Sequence, residues 1–84
     1  MSLNVHREKV RELQFAKHLL RESTGYDEDD VSDSLAVINM FIRRAEKKPQ
    51  QMDQCYNAIL LELKMYDIGC LRCAYRDFKY KGEE

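Results

Sequence analysis

Proline and glycine are scarce in this sequence, with one proline and three glycines among 84 residues. That scarcity excludes low-complexity disorder across the body of the chain. An excess of charge of one sign is also lacking. Fourteen Lys and Arg face fifteen Asp and Glu, so no overall bias toward nucleic acid or a membrane surface exists. No apolar run approaches the ~18 residues that a membrane span needs. The charges at Arg7, Glu8, Lys9, Arg11 and Glu12 leave no room for an apolar signal segment near residue 1. Cysteine is limited to three, an odd number without the spacing of a secreted disulfide framework. The expectation is an intracellular, cytoplasmic protein with reduced thiols. Met1-Ser2-Leu3 is compatible with an added leader, and Gly82-Glu83-Glu84 reads as a frayed tail.

What is present is helix-forming material. The hydrophobic fraction of 44% is ordinary and the charged fraction of 35% is high. The length sets a single domain spanning 1–84. A chain of this size buries only about 60% of its unfolded surface. Association with a partner or a second copy would complete its core.

Three helices follow from the spacing of apolar residues. The first covers about 4–21, where Val5, Val10, Leu13, Ala16, Leu19 and Leu20 share a side and Phe15 sits at its edge. Asn4 suits its N-cap. Gly25 suits the break after it, since glycine adopts a left-handed backbone without steric cost. The second helix covers 28–47, with Asp27 as N-cap and three acids in the first turn. Tyr26 and Val31 occupy its hydrophobic-staple positions. Its apolar face is Val31, Leu35, Ile38, Phe41, Ile42 and Ala45. Arg43, Arg44, Lys47 and Lys48 complement the carbonyl pole at its end. Pro49 stops that helix and suits the first turn of the next, so the two form an antiparallel hairpin. The third helix is read as running from 50 to 79. Met52, Tyr56, Ile59, Leu63, Tyr66, Cys70 and Cys73 line one seam at spacings of four and three. At that length it would extend about 45 Å. The fold class expected is all-α, a three-helix bundle with an overlong third helix completed by dimerisation.

Chemistry-bearing patterns are few. The acids from Asp27 to Asp33 fail as a calcium loop, because Ser32 and Ile38 stand where such a loop needs Gly and Glu. Cys70-Leu71-Arg72-Cys73 has the spacing of redox and metal pairs. A redox pair places its first cysteine at a helix N-terminus. Here both lie deep in the C-terminal half of the third helix, and Cys55 is about 22 Å from Cys70 along its axis. All three cysteines are therefore read as small buried apolar residues, with no metal and no cofactor. Two isolated histidines and the absence of a phosphate-cradling loop leave no assembled nucleophile and base, so no enzyme is expected.

Two surfaces remain. Arg7, Arg11, Gln14, His18 and Arg21 form a stripe on the first helix, opposite its apolar face. Arg7, Arg11, His18 and Arg21 could contact a polyanion or an acidic partner, although Glu8 and Glu22 partly neutralise them. On the third helix, Leu61, Met65, Ile68 and Tyr75 lie away from the seam, with Leu60, Leu71 and Phe78 between. They mark a protein interface, and Gly69 would let paired helices approach closely. The function read from this is a non-catalytic interaction module, an adaptor or regulator. It forms a homodimer or docks on a larger protein through the third helix. A small nucleic-acid-associated regulator using the first helix is the alternative, and a metal or redox protein at Cys70 and Cys73 is the weakest reading kept. A helix-turn-helix reader is disfavoured, since its recognition helix is short and polar.

Overall fold

The computed structural model describes residues 3–81. The expected leader residues Met1 and Ser2 and the tail Gly82-Glu83-Glu84 lie outside that range. The chain is all-α. Helix α1 spans Leu3–Glu22, α2 Glu28–Lys47, α3 Met52–Lys64 and α4 Leu71–Lys81, with a short 3-10 turn at Pro49–Gln51 before α3. No helix among the described residues is long and apolar enough to cross a membrane.

Periodicity accounts for the first three elements. Leu13, Ala16 and Leu20 of α1 are fully buried, and Val10, Phe15 and Leu19 flank them. Helix α1 begins at Leu3, so Asn4 lies inside its first turn rather than capping it. The chain then breaks at Gly25, whose φ of 85° is left-handed. Asp27 caps α2 as expected, its Oδ1 accepting the Asp29 N–H at 2.8 Å. Tyr26, the expected staple residue, also reaches beyond α2. Its ring meets Tyr66 edge-on at 4.9 Å and its hydroxyl donates to Asp67 Oδ2 at 3.0 Å. Ile38, Ile42 and Ala45 carry the centre of the α2 face, with Val31, Leu35 and Phe41 along its edges. Pro49 opens the turn into α3, and α3 packs back along α2. Met52, Cys55, Ile59 and Leu63 complete the core. Cys55 takes the central position where Tyr56 was expected, and Tyr56 is half-buried beside it.

The overlong third helix does not form. Its expected span is two helices, α3 and α4, joined through residues 65–70. The stop is a Schellman cap. The Ile68 N–H reaches back to the Leu63 carbonyl at 3.1 Å, and the Asp67 N–H reaches the Lys64 carbonyl at 3.1 Å. Asp67 adopts the left-handed conformation that this closure requires, with φ 60°. Ile68 then folds inward and packs against the core cluster that contains Leu63. Gly69, expected to bring two helices together, sits in the connection with open space where a Cβ would stand.

Helix α4 therefore leaves in a new direction and lies against α1. Leu71 is buried at its start. Phe78 approaches Phe15 with ring centroids 4.8 Å apart, and Tyr75 approaches the same ring at 5.7 Å. The Tyr75 hydroxyl and Lys79 ammonium both donate to the Glu8 carboxylate, at 3.0 and 2.9 Å.

Comparing Asp67→Gly with Asp67→Ala checks the cap, because both lose the Tyr26 bond equally. At a left-handed position glycine should be the more stable by about 1 kcal/mol. In an unbroken helix alanine would be the more stable by about the same amount. The sign of the difference in urea melts decides between them.

Candidate functional site: an exposed apolar pair, a cationic face and a surface cysteine pair

The four residues expected to form one interface are not brought together. Leu61 and Met65 lie one helical turn apart and are 65% and 67% exposed. Ile68 is folded onto the core by the cap, and Tyr75 is half-buried against Phe15. The physical reason is the change of direction at Asp67. A straight helix would have kept all four on adjoining faces, whereas the break turns Tyr75 toward α1.

Met65 borders an open hollow between α2 and α3, lined also by Val37 and by Asp30, Asp33 and Glu62. Its floor is polar. Buried Ser34 donates to Glu62 Oε2 at 3.1 Å, and its hydroxyl is 2.7 Å from that of Tyr66, which donates to the Asp30 carbonyl at 2.9 Å. This network fixes the α2–α3 hairpin beneath the exposed pair. Sequence periodicity missed Ser34, because a polar residue on the inner face carries no hydrophobic signal.

The stripe on α1 is exposed along its length, and its middle lies beside acids of the same helix. Arg11 lies 3.9 Å from Glu8, and His18 Nε2 lies 3.4 Å from Glu22. The His18 ring also stacks on Phe15 at 5.5 Å. Arg7, Arg11, Gln14, His18 and Arg21 are all exposed. A second cationic group surrounds the end of α2, where Arg43, Arg44, Lys47 and Lys48 line a shallow pocket. The Arg44 guanidinium lies 5.8 Å above the Phe41 ring.

The cysteines divide. Cys55 is buried and free, as expected. Cys70 and Cys73 are not buried seam residues. Both are exposed and joined as a disulfide, with Cα atoms 5.4 Å apart. The cap at Asp67 is the cause, because it ends α3 before Cys70 and lets a new helix begin there. Among the described residues, no three His, Cys, Asp or Glu side chains are grouped to hold a metal ion.

Proton affinities mark the contacts that hold α4 and its neighbours. The Lys79 ammonium, and then the Tyr75 hydroxyl, keep the Glu8 carboxyl below its ordinary range. Burial, and then the bond to Glu8, raise the Tyr75 phenol. The bond to Asp67 raises Tyr26. Tyr56 is displaced furthest: burial, with the Glu12 carboxylate next, pushes its phenol up to about 12. Compared with known proteins, the chain matches no family model, no curated protein and no solved structure.

Tyr56 supplies a pH test. Its folded-state affinity for a proton exceeds that of the unfolded chain, near 10. Its contribution to stability is therefore complete below pH 10 and is lost as pH rises toward 12. Tyrosinate absorbance should show Tyr56 ionising last, and Tyr56→Phe should flatten the loss of stability across that window. An unchanged alkaline profile in the variant contradicts the assignment.

Proposed function

We propose that this protein is a small helical interaction module whose main work is binding a protein partner. It self-associates, or docks on a larger protein, through the outer face of α3. The observation that carries this reading is the exposure of Leu61 and Met65, two large apolar side chains on adjacent turns of a helix whose other face is fully used. Exposed apolar pairs on a rigid helix are the usual anchors of helix-mediated recognition. The carboxylates of Asp30, Asp33 and Glu62 beside Met65 add a polar rim. A chain this short also has little core of its own, which favours completion by a second surface. A homodimer is the simplest form, since a two-fold axis sets the same patch of each copy against its mate. Ile68 and Tyr75 belong to the fold of the single chain and are left out of this surface.

A cytoplasmic setting accompanies the reading. Buried Cys55 is unpaired, and one local cysteine pair is not the framework of a small secreted domain. The alternative is a nucleic-acid-associated regulator that tracks phosphates with Arg7, Arg11, His18 and Arg21. It has less support, because Glu8 and Glu22 lie beside Arg11 and His18 and partly neutralise the stripe.

Leu61→Lys with Met65→Lys should leave a helical chain whose mass, by light scattering coupled to gel filtration, is that of a monomer. The parent should show a mass that falls across a hundredfold dilution. A parent that stays monomeric at millimolar concentration removes homodimerisation and leaves a hetero-partner. Retardation of DNA or RNA that weakens steeply with salt would favour the alternative instead.

A further inference from the structure

We propose that Cys70 and Cys73 form a thiol–disulfide exchange site whose substrates are exposed disulfides, with Cys70 as the attacking cysteine. The site is independent of the α3 face. Three observations carry it. The two cysteines are exposed and close enough to bond, with Cα atoms 5.4 Å apart, which is within the range that a disulfide spans without backbone movement. Cys70 is the N-cap of α4, since its carbonyl accepts the Ala74 N–H at 3.2 Å and opens the helical hydrogen-bond ladder. Its Sγ accepts the Cys73 N–H, also at 3.2 Å. That donor belongs to the first turn of the helix, where unpaired N–H groups and the helix dipole favour negative charge. Once the bond opens, the same N–H stabilises a Cys70 thiolate, the form that attacks.

The asymmetry between the two sulfurs assigns their roles. Cys70 sits at the pole of the helix, outside its first turn. Cys73 sits one turn in, with its own N–H committed to Cys70. In the reduced protein the Cys70 thiolate attacks one sulfur of a substrate disulfide RS–SR. The substrate S–S bond breaks, one RS⁻ leaves and takes a proton from solvent, and Cys70 carries the mixed disulfide. The Cys73 thiolate then attacks Cys70 Sγ, the second RS⁻ leaves, and the Cys70–Cys73 bond forms. The substrate gains two electrons and the pair loses two. Two molecules of a low-molecular-weight thiol such as glutathione reverse the sequence and are joined as their own disulfide. Buried Cys55 takes no part.

The test uses the whole chain and oxidised glutathione. In redox buffers of reduced and oxidised glutathione, alkylation followed by mass measurement should show one two-electron transition, confined to Cys70 and Cys73. The single variants separate the roles. Serine is itself a favoured N-cap, so Cys70→Ser should keep α4 in place, and circular dichroism checks both variants. Cys73→Ser should form the mixed disulfide at Cys70 about tenfold faster than Cys70→Ser forms it at Cys73. It should also react faster than the same variant unfolded in guanidinium. Equal rates for the two cysteines, or a folded rate no higher than the unfolded one, would overturn the assignment. So would stoichiometric zinc uptake by the reduced protein that protects both thiols from oxidised glutathione, which would make the pair a metal site. Should either variant unfold, the two-electron transition of the parent remains decisive, and its absence rejects the proposal.

Discussion

The Ile68 amide reaching back to the Leu63 carbonyl decides where α3 ends, and the rest of the architecture follows from that closure. It needs a left-handed residue at Asp67, which costs an ordinary side chain about 1–2 kcal/mol. Aspartate is among the few residues that reach this conformation readily. Folding Ile68 onto the core offsets the cost, and the Tyr26 hydroxyl ties the Asp67 carboxylate to the α1–α2 connection. A local backbone strain is thus held in place by contacts from two distant parts of the chain.

Helix α4 depends on that turn for everything it touches. Without it, Tyr75, Phe78 and Lys79 would project into solvent beyond the bundle. With it, they close over Phe15 and Glu8 of α1, 60 or more residues earlier in the chain. The aromatic contacts and the double donation to one carboxylate make α4 part of the domain. They also draw in the middle of the α1 stripe, since His18 stacks on Phe15 and lies near Phe78. One reversal of direction therefore sets Phe78 beside His18 and takes Ile68 and Tyr75 out of the outer apolar surface. Leu61 and Met65 stay exposed because they lie on the outer side of α3 and its end, away from the core face of Ile59 and Leu63.

The same turn converts the chemistry of the cysteine pair. Inside a continuous helix, Cys70 and Cys73 would be shielded seam residues with no free donors near them. At the start of α4 they are exposed, and a first-turn N–H is directed at Cys70 Sγ. Helix polarity acts over a single turn, so a shift of a few residues in where the helix begins separates an inert cysteine from a reactive one. The residue spacing is identical in both cases.

Apolar spacing, with the capping chemistry of Asp27 and the ring of Pro49, was enough to define the all-α class, α1, α2 with its cap, the hairpin into α3, and core positions such as Leu13, Ala16, Ile38, Ile42, Ile59 and Leu63. These features are local, or repeat with the helical period, and each side chain there acts much as its type predicts. The end of α3 was not legible in the same way. The segment Met65 to Cys70 keeps helical spacing, and Gly69, the residue most prone to break a helix, is not the one that adopts the left-handed conformation. Propensities in that segment differ by about 1 kcal/mol, too little to decide the outcome against burial of Leu71, packing of Ile68 on the core and the ring contacts of Tyr75 and Phe78 with Phe15. Those contacts join residues far apart in sequence and exist only once α1 and α2 are in place. Tertiary packing therefore decided the stop at Asp67, the separation of Tyr75 from Leu61 and Met65, and the position of Cys70 at a helix N-terminus.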